Sequence, residues 1–318
     1  MSYDIVTVGE AMLRLWVPAG ERLETVAAFR VTVAGAEANV AIACARMGAH
    51  TAWLSALPDN ALGRRAAREV ARHGVDVAHV SWSDHDRMGL YFVELSVPPR
   101  PVAALYDRKH SAAAALTAAE IAWPVLEGAR IVHLSGITPA LSDSTRALSL
   151  EVVQRCRGAG VLVSIDVNYR QNLWSVDECA ETILAMASYG DLLIATAEDA
   201  RDVFGLDGTP ETVLRDLQGL TGTNRVVVTT GADGAHWRDG PTTGSAAAYP
   251  AEIVDRIGAG DAFAAGTLLG LLNDDLPAGI DCGLAMAALK LGIHGDQLNV
   301  TPSEVDQLID GHNREISR

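Results

Sequence analysis

Asp255-Arg-Ile-Gly-Ala-Gly-Asp-Ala-Phe-Ala-Ala-Gly266 is the stretch that says most about the fold and chemistry of this chain. The small residues of Gly258–Gly260 predict a tight turn, and the apolar pattern over Asp261–Leu272 predicts a helix directly after it. Backbone N–H groups of the turn and the partial positive charge of the helix N-terminus would together bind an anion. Asp261 lies in the first turn, where a carboxylate is stabilised and can accept a proton from a hydroxyl group. An aspartate that only caps the helix is the alternative, and these residues alone favour it.

Upstream of this turn, short β-branched runs alternate with alanine-rich helical patterns. We predict strands over Ile5–Val8, Thr51–Leu54, Arg130–Leu134, Val161–Asp166, Leu192–Ala195 and Arg225–Thr229. Helices are predicted near 39–47, 61–73, 144–157, 177–188, 198–204 and 211–217, with a second long C-terminal helix over Gly279–Leu291. The alternation is typical of βαβ units with a parallel sheet, and the near-continuous apolar strands indicate burial on both faces. The chain is therefore predicted to be an α/β protein with a single domain spanning residues 1–318.

Two segments, about 10–33 and 88–110, interrupt this alternation. They contain the strand-like runs Leu13–Val17 and Leu90–Leu95 without long helices between them. We interpret them as a small separate sheet inserted into the main domain, which would serve as a lid over a site at the carboxyl edge of the central sheet. An edge extension without a functional role is the alternative.

The composition excludes several classes of function. The 318 residues are 49% hydrophobic and 20% charged, and the formal net charge is −15. An excess of negative charge argues against nucleic acid or a membrane as a partner, although a locally positive site can still bind an anionic substrate. The four cysteines form no CxxC pair, and the N-terminus has no basic or long apolar leader. Both observations indicate a cytoplasmic protein.

Residues 255–266 resemble the signature of the ribokinase-like (pfkB-type) sugar kinases, and the resemblance extends over essentially the whole chain. It implies a three-layer α/β/α domain with a mostly parallel central sheet and a small β-sheet lid. It also implies that Asp261 is the catalytic base and that the amides of Gly258, Ala259 and Gly260 form the anion hole for the transferring phosphoryl group. ATP and Mg²⁺ are the expected cofactors, and activation by K⁺ is left open.

Ala34-Gly-Ala-Glu-Ala-Asn-Val-Ala41 matches the family's Gly-Gly-x-x-x-Asn-x-Ala sugar-binding turn. The match places Gly35 and Asn39 at the substrate. Ala34 replaces the usual first glycine and would be strained if that position required a positive φ. A helix N-cap is the alternative role for Asn39, and one residue can serve both.

Thr229-Thr-Gly-Ala-Asp-Gly234 follows a predicted strand and resembles the family's nucleotide loop, in which Thr229, Gly231 and Gly234 would line the ATP phosphates and ribose. By itself the segment is better explained as a two-residue hairpin turn. Where the family has a magnesium-linked Asn-x-x-Glu motif, this chain has Thr196-Ala-Glu-Asp199. Asp199 or Glu198 is the expected partner of a magnesium-bound water, with a solvated helix face as the equal alternative.

Two arginines favour an acidic sugar as the substrate. Arg170 follows a predicted buried strand, and Arg108 ends the triplet Tyr106-Asp107-Arg108 in the lid. Arginine pairs bidentately with carboxylates, which neutral sugars lack, so two arginines converging on one site would select a sugar acid. A surface salt bridge is the alternative for either arginine alone.

These segments, together with Gly295-Asp296, resemble the 2-keto-3-deoxygluconate kinase branch of the family, although Asp107 departs from its Tyr-Tyr-Arg-type triplet. The resemblance implies substrate contacts by Gly35, Asn39, Tyr91, Tyr106, Arg108, Arg170 and Asp296. It predicts ATP-dependent phosphorylation of the 6-hydroxyl of 2-keto-3-deoxygluconate to 2-keto-3-deoxy-6-phosphogluconate. By analogy, we expect a homo-oligomer that pairs through the lid.

Other functions are weighed against this one. A kinase of 2-keto-3-deoxygalactonate, fructose or ribose shares the same motifs, and a non-catalytic sugar or nucleotide sensor would be expected to lack the base at Asp261. A nicotinamide dehydrogenase is disfavoured because Phe263 occupies the third glycine position of G-x-G-x-x-G. A P-loop NTPase is disfavoured because the chain contains no GxxxxGK[ST] string.

Overall fold

The structure, a computed structural model, describes residues 2–96 and 99–316, in which strands alternate with helices. The strands are β1 (Ile5–Val8), β2 (Met12–Val17), β3 (Arg30–Ala34), β4 (Thr51–Leu54), β5 (Ala56–Pro58), β6 (Ser81–Ser83), β7 (Gly89–Glu94), β8 (Ala103–Asp107), β9 (Ile131–Ser135), β10 (Leu162–Asp166), β11 (Leu192–Thr196), β12 (Arg225–Thr229), β13 (Ala235–Asp239) and β14 (Thr242–Ala246). The helices are α1 (Ala36–Arg46), α2 (Ala61–Ala71), α3 (Trp123–Glu127), α4 (Asp143–Gly158), α5 (Val176–Ala187), α6 (Ala197–Phe204), α7 (Pro210–Thr221), α8 (Ala259–Leu272), α9 (Leu276–Leu291) and α10 (Pro302–Ile316).

The largest sheet within the described residues has eight strands in the order β14-β13-β12-β11-β10-β9-β1-β4. The strands from β12 to β4 are parallel, whereas β13 and β14 are antiparallel additions at one edge. Parallel strands end at a common edge, so the segments that follow β1, β9, β10 and β11 all start there.

Both faces of this sheet are covered by helices. In β12, Val226 and Val228 belong to one core cluster and Val227 to another, because successive side chains of a strand point to opposite faces. The first cluster includes residues of α4, α5 and α7, and the second includes residues of α1, α8 and α9. This arrangement confirms the predicted three-layer fold with a mostly parallel sheet.

A second, smaller sheet has the strand order β3-β2-β7-β8. Its inner pair, β2 and β7, is parallel, and the outer strands β3 and β8 are antiparallel to their neighbours. We call it the small sheet. Its strands coincide closely with the two segments, about 10–33 and 88–110, that interrupt the alternation in the sequence. Strand β8 is exposed along its whole length.

Helices α8 and α9 approach each other along glycines. A Cβ atom added to Gly266 would lie 2.3 Å from the backbone nitrogen of Gly283, and one added to Gly270 would lie 2.4 Å from Cα of Gly279. No real Cβ tolerates such distances, so these positions require glycine for the two backbones to pack at this separation. The close packing fixes α8, whose N-terminus carries Asp261.

The predicted elements differ from the observed ones mainly at their ends. Helix α1 begins at Ala36 rather than near Asn39, and α8 begins at Ala259 rather than at Asp261. Both starts lie in glycine-containing turns, where the apolar pattern is weak and boundaries are poorly marked in sequence. The strands β3, β5, β6, β8, β13 and β14 were not predicted; each has only three to five residues, and among them β8 alone is exposed along its whole length.

Candidate active site

A cleft of about 1690 Å³ lies at the carboxyl edge of the central sheet and is bounded on one side by the small sheet. The predicted residues on the wall next to the small sheet and α1 are Gly35, Asn39, Tyr91, Tyr106 and Arg108. The other predicted residues that line the cleft are Arg170, Glu198, Asp199, Gly258, Gly260, Asp261 and Asp296. Residues that are up to 261 positions apart in sequence therefore share one cavity.

The turn before α8 places the helix N-terminus against the cleft. Gly258 is the residue that precedes the helix, with φ of 90°, a conformation that favours glycine. A Cβ atom there would also lie 1.9 Å from the carbonyl oxygen of Asp296. A Cβ added to Gly260 would have no neighbour within 4 Å, and both Gly258 and Gly260 line the cleft, whereas the N–H of Ala259 donates to the Arg256 carbonyl oxygen over 3.3 Å. This end of α8 can bind an anion.

Asp261 lies in that first turn, and its Oδ2 accepts a hydrogen bond of 2.7 Å from Nδ2 of Asn39. Burial raises the pKa of Asp261 to about 7, while Asn39 and the nearby Arg170 act in the opposite direction. A carboxyl with a pKa near neutrality is suited to accept a proton during catalysis. Asn39 is not the N-cap of α1, because Gly35 occupies that position. The Asn39 side chain donates to Asp261 instead.

The turn at Gly35 explains the family's glycine there. The φ of Gly35 is 175°, which is extended backbone, but an added Cβ would lie 1.9 Å from the carbonyl oxygen of Glu10. The glycine is needed for close approach rather than for a left-handed conformation. Ala34 is a β-strand residue paired with Met12, so the strain anticipated for it does not arise.

A buried network supports Asp296. Its Oδ1 accepts a bond of 2.5 Å from Arg14, and its Oδ2 accepts a bond of 2.5 Å from the Tyr91 hydroxyl. Arg14 also donates to Asp255 over 2.6 Å, and its side chain is 0% exposed. Burial raises the pKa of Asp296, and the Arg14 charge works against that rise. Tyr91 therefore has a polar role, in addition to packing in the small sheet.

Arg108 and Tyr106 occupy different environments. The guanidinium of Arg108 is buried and forms an ion pair with Glu10, with Nε 2.7 Å from Oε2. The Tyr106 ring is about half exposed and stacks on Tyr91 with centroids 5.4 Å apart. Asp107, where the chain departs from the family triplet, points away and pairs with Arg87 over 2.6 Å.

Arg170 lies beyond the end of β10 and is exposed on the cleft wall. Burial raises the pKa of three nearby carboxyls, and the positive charge of Arg170 acts in the opposite direction on each. The three are Asp166, Asp199 and Asp261. The pKa of Asp166 is nevertheless well above its usual value, because burial and the neighbouring Asp199 both oppose ionisation. Arg170 is thus positioned as a cation between acidic residues and open solvent.

Asp199 caps the start of α6. Its Oδ2 accepts from the backbone N–H of Thr196, and Thr196 Oγ1 accepts from the Asp199 N–H, which forms a reciprocal capping box. Its Oδ1 also accepts from the Tyr169 N–H at 3.3 Å. Thr196, which stands where the Asn-x-x-Glu motif has asparagine, is the N-cap residue of α6. Glu198, by contrast, is exposed at the cleft wall.

The segment predicted as the nucleotide loop joins β12 to β13. It contains a 3₁₀ turn over Gly231–Asp233, with Gly231 at φ 65° and Gly234 at φ 105°. It is longer than the two-residue hairpin considered from the sequence. Thr229, Gly231 and Gly234 are not among the described residues that line the cleft with Asp261.

The sequence profile of the pfkB family carbohydrate kinases matches residues 2–303. The chain belongs to this family. The family membership that the motifs predicted is thereby confirmed.

Individual relatives are similar over their full lengths. The kinase is 40% identical over 319 residues to a 2-dehydro-3-deoxygalactonokinase of Haloferax volcanii, with 100% of both chains covered. It is 31% identical to a 2-dehydro-3-deoxygluconokinase of Bacillus subtilis, over 93% of this chain and 92% of the relative. Among solved structures, 2-dehydro-3-deoxygluconokinase of Thermotoga maritima superimposes with a TM-score of 0.92 at 31% identity, covering 98% of this chain and 99% of that one.

Several cleft residues of the kinase were not identified from the sequence. Glu10 and Glu37, which were not predicted, and Asn39, which was, each have a buried side-chain oxygen without a hydrogen-bond partner within the described structure. All three line the cleft, so these oxygens can accept from hydroxyl groups of a bound sugar. Glu10 could have been predicted from the sequence, because it follows a strand that ends at the active-site edge of the sheet. Arg14 could also have been singled out, because it is a charged residue within an otherwise apolar strand.

No helix in the described part of the kinase is long and apolar enough to cross a membrane. All four cysteines are free thiols, and Cys44, Cys156 and Cys179 are buried.

Proposed function

We propose that this kinase transfers the γ-phosphoryl group of ATP to the primary 6-hydroxyl of a 2-keto-3-deoxy sugar acid, with Asp261 as the general base. The observation that carries the proposal is the placement of Asp261. It lies in the first turn of α8, bonded to Asn39 and with a pKa raised to about 7, in the same cleft as Arg170.

The transfer step follows from this geometry. The sugar O–H bond breaks as its proton passes to Asp261, while the hydroxyl oxygen forms a bond to the γ-phosphorus. The bond from that phosphorus to the bridging oxygen breaks, and ADP leaves with the electron pair. Gly258, Ala259 and Gly260 offer amides at the positive end of α8, which stabilise the negative charge of the transferring group.

The carboxylate of the substrate selects the end of the sugar that faces ATP. Arg170 is the stronger candidate for binding it, because this side chain is exposed in the cleft rather than held in a buried ion pair. Arg108 already pairs with Glu10 and contributes positive charge from the small sheet. Tyr106, Tyr91 and Asp296 complete the sugar site, with Gly35 and Asn39 below it. Binding the acid group at one end orients the 6-hydroxyl toward Asp261.

ATP binds between the α8 N-terminus and the β12–β13 loop, with Thr229, Gly231 and Gly234 along its phosphates and ribose. Asp166 and Asp199 would fit a hydrated Mg²⁺, because both are largely buried carboxylates that line the cleft, and a bound cation would offset the burial that raises the pKa of each. Mg²⁺ prefers oxygen ligands and needs only one or two carboxylates when nucleotide and water supply the rest. When bound, it neutralises negative charge on the phosphates. Asp199 is a better partner than Glu198, which is exposed.

The names of the relatives are the basis on which we rank the two epimers as substrates. The 40% identical relative acts, by its name, on the galactonate epimer, whereas the gluconate epimer placed first by the sequence motifs is named by relatives near 31% identity. We therefore put 2-keto-3-deoxygalactonate ahead of 2-keto-3-deoxygluconate, with turnover of both expected. Fructose and ribose lack the carboxylate that Arg170 would bind.

Release of ADP from Mg-ATP, measured with both keto-deoxy acids, fructose and ribose, tests the proposal. A kcat/KM preference for the acids supports both the kinase assignment and the role of Arg170. A preference for fructose or ribose overturns the role of Arg170, and binding without turnover of any of them favours a sensor.

The small sheet also suggests how copies of the kinase associate. Strand β8 lies at its edge and exposes Leu105 and Tyr106, at 62% and 47%. Exposed edge strands readily pair with another chain. We propose a homodimer in which the small sheets of two copies cover each other, within a reducing cytoplasm that keeps the four thiols free. Leu105→Glu should shift the mass measured by light scattering to that of one chain.

A further inference from the structure

Lys290 is a buried cation close to the active site. It lies in the last turn of α9, where a lysine usually extends its ammonium group into water, yet its side chain is 0% exposed. Burial of an ammonium is costly unless oxygen atoms surround it. The surroundings of Lys290 therefore show what the charge is used for.

The Lys290 ammonium joins two loops. Its Nζ donates to the carbonyl oxygen of Asp255 at 3.3 Å and to that of Ile293 at 3.2 Å. The first carbonyl belongs to the segment that leads to the glycine turn of α8, and the second to the segment that leads to Asp296. The same segments are also connected by a bond of 3.0 Å from the Gly295 N–H to Oδ2 of Asp255.

Several charged groups surround Lys290. Two carboxylates, Asp255 and Asp296, and one other cation, Arg14, influence its pKa, which burial lowers and the carboxylates raise. Asp261 also acts on it, so the ammonium and the catalytic carboxyl are electrostatically coupled. Two backbone carbonyls and nearby carboxylates are the oxygen environment that a free monovalent cation would take from a protein. Here a side chain supplies the positive charge.

We propose that the ammonium of Lys290 is a tethered monovalent cation, which holds the glycine turn of α8 against the Asp296 loop and makes the transfer independent of K⁺. The inference rests on the phosphoryl transfer proposed above. Lys290 does not touch the substrate and is a positioning residue. On this proposal the kinase needs no K⁺, a point that the sequence motifs left open.

Removal of the ammonium has distinct consequences. In Lys290→Ala the carbonyls of Asp255 and Ile293 lose their shared donor, and two carboxylates face Arg14 alone. Displacement of the glycine turn should lower kcat by about 10²-fold, with a smaller change in KM for the sugar. The acid limb of the kcat profile should move to higher pH, because loss of a positive charge raises the pKa of Asp261.

Chemical rescue tests the idea. Activity is measured at constant ionic strength, with tetramethylammonium chloride replaced stepwise by KCl, NH₄Cl or propylammonium chloride. The wild type should be unaffected, whereas Lys290→Ala should regain activity saturably, at least several-fold. Lys290→Met fills the space with an uncharged side chain and should stay impaired with every salt. Met286→Ala, a cavity-forming change in the same helix, controls for lost stability and should show no cation-specific response.

Thermal melting without substrate separates this proposal from the function. A cation that binds the folded Lys290→Ala variant raises its Tm saturably, and the wild type shows no such rise. Activation of the wild type by K⁺, or a Lys290→Ala variant whose activity and Tm ignore all three cations, overturns the proposal. If no sugar acid is turned over but the melting response is present, the proposed function fails and the tethered cation stands. If Lys290→Ala does not fold, an unchanged kcat and pH profile in Lys290→Met is the contradicting result.

Discussion

The side-chain amide of Asn39 donates to Oδ2 of Asp261 over 2.7 Å and so connects the N-terminal turns of α1 and α8. This bond orients the carboxylate and moderates the rise in its pKa that burial causes. The other amide atom, Oδ1, is buried without a partner in the described structure and faces the cleft. Asn39 can therefore support the base and accept a hydrogen bond from the sugar.

The pH dependence of the wild type follows from the pKa of Asp261. Since the base must be ionised and its pKa is about 7, kcat/KM should fall about tenfold per unit as the pH drops below 7, and level off above it. Asn39→Ala removes a donor to the ionised form, so the pKa should rise further and the limb should move to higher pH. A pH series from 5.5 to about 9 measures both effects. An unmoved limb in Asn39→Ala would show that the bond does not tune the base.

Arg170→Ala should raise KM for keto-deoxy acids by about 10²-fold and leave the weak reaction with neutral sugars unchanged, because only the acids supply a carboxylate to the guanidinium. Arg170→Lys keeps the charge but not the bidentate geometry, and should fall between the two. Arg215→Ala, at an exposed position on α7, is the control and should match the wild type. Equal losses for acids and neutral sugars would reject the carboxylate role.

Tyr91→Phe removes the hydroxyl that donates to Asp296 and leaves the stacked ring in place. The Asp296 carboxylate then loses one of its two side-chain donors, which should raise its pKa and weaken sugar binding. We expect KM for the sugar to rise severalfold while KM for ATP stays constant. Steady-state kinetics with each substrate varied in turn measure this, and a matched rise in both would indicate a general structural effect.

The glycine contact between α8 and α9 predicts a loss of stability. Gly266→Ala forces a Cβ to within 2.3 Å of the Gly283 backbone, and should lower the free energy of unfolding by about 1–3 kcal/mol. Gly219→Ala is a matched control on α7, where an added Cβ has no neighbour within 4 Å. It should stabilise the fold by about 0.5–1 kcal/mol, since alanine favours helix. Chemical denaturation of both variants gives the comparison, and equal effects would contradict the packing argument.

Local patterns predicted much of the fold. The strands at Ile5–Val8, Thr51–Leu54 and Arg225–Thr229 match the structure at both ends, because short runs dominated by apolar or β-branched residues mark buried parallel strands. The strands β8, β13 and β14 were missed because each mixes polar and apolar residues; β8 and β14 lie at sheet edges, and β13 lies next to one. A buried face leaves a pattern in sequence, and an exposed strand does not.

The candidate site was only partly visible in the sequence. Motifs indicated Asp261, Asn39 and Arg170, since each lies in a recognisable turn or strand end. Ion pairs between distant segments cannot be predicted from a local sequence pattern. The pair of Arg108 and Glu10, which are 98 residues apart, is an example. The bonds of Lys290 to two loops likewise depend on how α9 packs, which no spacing in the sequence specifies.

Single-turnover phosphoryl transfer by Asp261→Asn is the most direct test of the proposed chemistry. The amide keeps the size of the side chain and cannot accept the proton, so the rate should fall by about 10²–10⁴-fold or more. The folded wild type binds the Asp261 proton more tightly than the unfolded chain does, and that contribution to stability is lost as the pH rises through 7. Asp261→Asn should therefore be no less stable than the wild type at pH 8. It should also bind sugar acid and ATP with near-wild-type affinity by calorimetry. A rate close to that of the wild type, with binding intact, would contradict the role of Asp261 as the base.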